Sequence, residues 1–133
     1  MSFGSFFDSN VVLYLLSGDS EKAELSEKLM ARGGTISVQV LNEFTSVSFL
    51  KFKKTIPEIR AALAGVRALC AVTPIDLETH ELGLDIAERY KFSVFDSMLV
   101  AAALQADCTT FYSEDLQHGQ VIEGLTVRNP FIS

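Results

Sequence analysis

Ser93-Val94-Phe95-Asp96-Ser97-Met98-Leu99-Val100-Ala101-Ala102-Ala103-Leu104 opens like a helix and then turns almost wholly apolar. Positions three, four and seven beyond Asp96 are Leu99, Val100 and Ala103. At about 100° per residue they share its face. Ser93 stands where a helix cap belongs, three residues before Asp96. A carboxylate thus stands at the mouth of a stripe that must face the core. A buried carboxylate requires a cation or strong hydrogen bonds, or it takes up a proton. Directly after this helix comes Cys108-Thr109-Thr110-Phe111-Tyr112, rich in β-formers. An apolar helix feeding a short buried strand is one unit of an α/β fold.

Working outward, the same alternation recurs. Ser5-Phe6-Phe7 reads as a first strand, followed by Asp8-Ser9-Asn10 and a helix to about Leu16. Asp19 or Ser20 caps a helix whose inner face is Ala23, Leu25, Leu29 and Met30, and Gly33-Gly34 stops it. Thr35-Ile36-Ser37 is a second strand, and a helix spans Val38 to Lys53. Pro57 opens the next helix, to about Cys70, before an extended Val72 to Ile75. Asp76 with Thr79 starts a helix ending near Tyr90, and Leu125-Thr126-Val127 is a last strand. The expected fold is a single α/β domain over residues 1–133, with a central parallel sheet covered by helices on both faces.

Composition narrows the function. The chain has 133 residues, 48% of them hydrophobic, enough for one real core and too apolar for disorder. Apolar runs are far shorter than a membrane span. Met1 to Phe7 has neither a basic start nor a long apolar run, so no leader and a cytoplasmic location are expected. The two cysteines form no disulfide framework. Cys70 and His80 repeat the separation of Cys108 and His118, wider than zinc clips use, and read as buried thiols and surface histidines. A net charge of −6 argues against nucleic-acid binding by charge alone. It leaves room for acids gathered at a metal site.

Four acids sit at the ends of elements. Asp8 follows the first strand, and Asp115 comes three residues after Tyr112, so both project beyond the same sheet edge. Asp96 lies in the first turn of its helix. Glu43 shares a helix face with Gln39, Val40, Ser46, Val47 and Leu50, on a helix apolar nearly all round. Each has an ordinary reading: Asp8 a helix cap, Ser93 with Asp96 a capping box, Glu43 a surface residue, Asp115 a turn residue. Gathered together, they repel one another, and a hard divalent cation such as Mg²⁺ or Mn²⁺ relieves this. Such a site activates water against a phosphodiester without a side-chain nucleophile. No Gly-x-Ser-x-Gly, Walker loop or dinucleotide fingerprint is present. The lone Asp8 and the sequence Asp8-Ser9-Asn10 also lack the acid pairs of receiver domains and Asp-x-Asp phosphatases.

Phe6-Phe7-Asp8-Ser9-Asn10-Val11-Val12, Val40-Leu41-Asn42-Glu43-Phe44, Phe92 to Ala103, and Tyr112-Ser113-Glu114-Asp115-Leu116-Gln117-His118-Gly119 resemble, in order and context, the four motifs of PIN-domain ribonucleases of the VapC toxin type. The first strand, preceded by Gly4, is shorter than the family's usual aliphatic run. The resemblance spans essentially the whole chain. It implies that Asp8, Glu43, Asp96 and Asp115 are catalytic acids that hold Mg²⁺, with Mn²⁺ as substitute, or orient its water. It implies supporting roles for Asn10 and Ser113, RNA as substrate, and a small antitoxin that blocks the cleft. With those four acids set aside, the remaining charges nearly balance, and Lys51, Lys53 and Lys54 are candidate phosphate contacts. The apolar helices, with the resemblance, lead to the expectation of a homodimer. The alternative is a PIN-like protein-binding module without catalysis.

Overall fold

The computed structural model describes residues 4–132; Met1 to Phe3, on which the expectation of no leader partly rests, lie outside the described residues. The elements follow the alternation read from the sequence. They are β1 (Ser5–Phe7), α1 (Ser9–Leu13) with a 3-10 turn (Tyr14–Leu16), α2 (Ser20–Ala31) and β2 (Gly34–Ser37). Then come α3 (Val38–Leu50), α4 (Ile56–Leu69), β3 (Cys70–Thr73), α5 (Leu77–Tyr90) and α6 (Val94–Gln105). The chain finishes with β4 (Thr110–Tyr112), β5 (Val121–Ile122) and β6 (Leu125–Arg128). The strands form one sheet in the order β3-β2-β1-β4-β6-β5, parallel except for the β5–β6 hairpin. Six helices among the described residues flank it, α5 packing along α6 and α3 against α1 and α4. No helix among the described residues is long and apolar enough to cross a membrane.

Local chemistry sets most boundaries. Thr55 and Asp76 close full capping boxes with Glu58 and Thr79, so α4 and α5 start where their caps dictate. Ser93 accepts the Asp96 N–H at 3.1 Å and starts α6. α3 ends at Leu50, three residues before the sequence reading, because Lys53 takes a left-handed φ of 56°. The Lys54 N–H then turns back to the Ser48 carbonyl at 3.0 Å. β3 lies at Cys70–Thr73, earlier than read, since Pro74 has no N–H for the ladder. β5 was not read from the sequence. Its two-residue turn has Glu123 at φ 51° and Gly124 at φ 91°, the twist that suits a tight hairpin, but Glu is an unusual residue there.

The core is centred on the inner strands. Phe6 pairs with Phe111 and Phe7 with Tyr112 across β1 and β4, with ring centroids 5.4 and 5.8 Å apart. Ile36, Met30, Val40, Phe44, Val100 and Ala103 close around them. The stripe predicted below Asp96 is buried throughout: Leu99, Val100 and Ala103 are at most 2% exposed. Gly34 is needed because a Cβ there would lie 2.3 Å from the Phe7 ring. Phe7 immediately precedes Asp8, so this contact helps set the end of β1.

Gly34→Ala is expected to destabilise the fold by about 1–3 kcal/mol through overpacking. At roughly 3–5 °C per kcal/mol for a chain of this size, thermal denaturation will read it directly. Adding Phe7→Leu should restore part of the loss, and an unchanged melting temperature in Gly34→Ala would refute the packing argument.

Candidate active site

β1 and β4 are neighbours, while the chain from β1 runs through β2 to β3 on the other side. Their shared carboxyl end is therefore a topological switch point, where open α/β sheets leave a crevice. Asp8 leaves β1 at this crevice, with its N–H bonded to the Tyr112 carbonyl at 3.0 Å. Asp115 follows β4 through Ser113 and Glu114. The N-terminus of α6 supplies Asp96. One oxygen from each of Asp8, Asp96 and Asp115 can be chosen so that all three lie within 4.8 Å of one another. This is the one cluster of three or more potential metal ligands among the described residues.

Asp8 occupies the cap position of α1, yet its carboxylate makes no capping bond. Instead it accepts hydrogen bonds from the Ser113 hydroxyl at 2.7 Å, the Ser9 hydroxyl at 3.2 Å and the Asn10 amide at 3.3 Å. The same Asn10 amide reaches Asp115 at 3.0 Å. Ser113, fully buried, also accepts the Asp115 N–H at 3.0 Å. Asn10 and Ser113 thus bridge Asp8 to Asp115. The capping-box reading of Asp96 holds in half: Ser93 caps the helix, but the Asp96 carboxylate accepts no return bond from the Ser93 N–H to close a box.

Glu43 is not in the three-acid cluster. It stands beside it, half-buried, accepting a hydrogen bond from Ser9, which also bonds Asp8. Gln39 donates to Glu43 at 2.8 Å and to the Phe95 carbonyl at 3.1 Å. Ser9 and Gln39 were not read as site residues. Gln39 carried a signal, lying one turn before Glu43 on the same face. Behind the Asp115 loop, the Tyr14 hydroxyl donates to Glu114, and Lys22 bonds the Tyr14 oxygen at 3.0 Å and pairs with Glu114 at 3.4 Å. Lys51, Lys53 and Lys54 are exposed after α3. Lys51 lines a groove that includes Asn10, whereas Lys54 borders a separate one beside Leu16 and Glu58.

The electrostatics fit a cation. Burial raises Asp8 from 3.8 to about 6, opposed by the Ser113 bond and assisted by the charges of Asp115 and Asp96. Asp96 is raised as well, by burial first, then by Asp115 and Glu43, against a lowering bond from Ser93. None of the ion pairs among the described residues involves the three acids. Three converging carboxylates without an internal counter-charge suit a hard divalent ion with oxygen ligands. Cys70 and Cys108 are buried while His80 and His118 are exposed, as the sequence reading had it.

A family model described as PIN domain matches residues 5–123. Solved structures share the architecture at low identity. A toxin-antitoxin complex from Klebsiella pneumoniae is 19% identical with a TM-score of 0.73, covering 96% of this chain and 98% of that one. A Sarcin-Ricin loop cleaving toxin of Mycobacterium tuberculosis is 16% identical, TM-score 0.65, covering 84% and 91%. VapBC2 from Rickettsia felis, bound to a DNA fragment from its promoter, is 14% identical, TM-score 0.66, covering 94% and 97%. At these identities the likeness concerns the fold. A comparison with proteins of curated function finds no match.

The raised Asp8 sets a pH dependence. Between about pH 4 and 6 the folded, metal-free chain holds a proton at Asp8 that the unfolded chain has released. Lowering the pH through 6 therefore stabilises that fold, and raising it above 6 removes the gain. Asp76 and Glu58, lowered by their capping bonds, act oppositely, but only as the pH falls through the ordinary carboxylate range. In chelator, the melting temperature should be higher near about pH 5 than near about pH 7.5. Asp8→Asn should raise it at the higher pH and flatten the dependence. Mn²⁺ should raise it more at the higher pH, where protons no longer compete. No response to Mn²⁺ at either pH would show that these acids hold no cation.

Proposed function

The chain belongs to the PIN domain family, and from that premise we propose that it is a metal-dependent endoribonuclease acting as the toxin of a toxin–antitoxin pair. The observation that carries this reading is the convergence of Asp8, Asp96 and Asp115 without an internal cation. These three would hold Mg²⁺, or Mn²⁺ in its place. When bound, such an ion lowers the pKa of water and stabilises charge on a phosphodiester.

The chain's own residues do the rest. Ser113, Ser9 and Asn10 direct hydrogen bonds at Asp8, which fix its carboxylate and favour its charged form. Asn10 spaces Asp115 from Asp8. Glu43, oriented by Gln39 and Ser9, stands beside the cluster, where its carboxylate can orient or deprotonate the attacking water. Of the three lysines, Lys51 is the best placed to meet the backbone of RNA entering past Asn10.

The toxin role follows the resemblance and is supported by the toxin-antitoxin proteins among the structural neighbours. Its partners would be RNA, a small antitoxin that covers the acidic cleft, and a second copy of the chain, in the cytoplasm. Exposed Phe49 and Leu50 at the end of α3, with Ile56 at the start of α4, offer apolar surface for such contacts.

Cleavage of single-stranded RNA should require Mg²⁺ or Mn²⁺ and fall by roughly a hundredfold or more in Asp96→Asn, the loss expected for a metal-site acid. Gel assays comparing the two proteins test this. Equal activity would sink the mechanism, and no cleavage by either protein would favour the non-catalytic module.

A further inference from the structure

Beside the acidic cluster, a cavity of about 580 Å³ opens between α3, α5 and the start of α6. Building on the ribonuclease reading above, we propose that it seats one unpaired nucleobase of the RNA, stacked on Phe95, next to the phosphate being cut. Its size falls in the usual range of small-molecule pockets, about 300–1,000 Å³.

Phe95 lines this cavity and is 70% exposed, although its helix is buried from Ser97 through Ala103. Its sequence neighbour is Asp96, and Glu43 forms part of the same wall. Gln39 ties the two sides together, since one amide nitrogen bonds both the Phe95 carbonyl and Glu43. An aromatic platform is therefore held in register with the acids. No Lys or Arg lines the cavity, and Glu43 in its wall repels phosphate from it. The portion of RNA that fits is the uncharged one. Asn42, Ser46 and His80 line it too, and their side chains have no hydrogen-bond partner among the described residues. An apolar cavity with one exposed aromatic and a few free polar groups is what a splayed base requires: stacking on its face and hydrogen bonds at its edge.

The test uses a single-stranded RNA whose cut has been mapped, with an abasic residue placed in turn at each nucleotide flanking the cut. One position should lower kcat/KM by about ten- to a hundredfold, the scale of a lost base–aromatic stack. Phe95→Ala should lower kcat/KM on intact RNA by about as much and be indifferent to the abasic residue at that position, while Phe95→Tyr should restore both. A second readout needs no cleavage: 2-aminopurine at that nucleotide, bound with Ca²⁺, should be quenched by the wild type and not by Phe95→Ala. If the wild type cuts no RNA, the ribonuclease reading fails. The quench, scanned along the RNA, then decides the pocket alone: lost in Phe95→Ala it supports the proposal, absent in the wild type it overturns it. Equal cleavage of intact and abasic RNA at every position also overturns it. So does a Phe95→Ala protein that sediments as a monomer where the wild type is a dimer, because the cavity then belongs to a second copy.

Discussion

The Ser113 hydroxyl, 2.7 Å from Asp8, joins the ends of the two strands around which the molecule is built. It works because β1 and β4 are adjacent and in register, Phe7 opposite Tyr112. The stacked Phe6–Phe111 and Phe7–Tyr112 pairs hold that register from within the core. On the other side of β1, Gly34 leaves room for the Phe7 ring. The position of Asp8 is thus set by strand pairing and apolar packing, and side-chain hydrogen bonds orient its carboxylate.

This arrangement carries an electrostatic cost. Burial and two neighbouring acids hold Asp8 well above its ordinary range, and the same effects raise Asp96. Ser113 offsets part of this by donating to Asp8, and the Ser93 side chain lowers Asp96, but no ion pair among the described residues reaches these acids. Acids gathered in this way repel one another, and the donor set is one that could hold a cation. The sheet and its flanking helices must therefore be stable enough to hold mutually repelling groups together. The fully capped α4 and α5 contribute to that stability at a distance from the site.

Much of the architecture was legible because it is local. Pro57, Asp76 and Ser93 announce helix starts, and the stripe of Leu99, Val100 and Ala103 marks a core face. Where local signals were weak, the reading slipped. Lys53 adopts a left-handed conformation that its residue type does not advertise, so α3 was read too long. The Glu123-Gly124 turn hid a two-residue strand, because Glu does not advertise the left-handed conformation that such a tight hairpin needs. Ser9 and Gln39 were passed over because a hydroxyl and an amide acquire meaning only from what they touch.

By itself, the sequence determined that this is an α/β chain with Asp8, Asp96 and Asp115 at element ends and Glu43 on an apolar helix, since strand alternation, helix caps and apolar periodicity act over a few residues. It determined too that Asp96 faces inward, because helical spacing alone ties it to a buried stripe. Only the tertiary structure decided which acids meet. Asp8, Asp96 and Asp115 converge because parallel pairing brings β1 beside β4, residues more than a hundred positions apart in the chain. Glu43 stands outside that trio, linked through Ser9, on a helix that packs against α1 and α4. Distances between remote side chains depend on how whole elements pack, and no spacing along the chain encodes that.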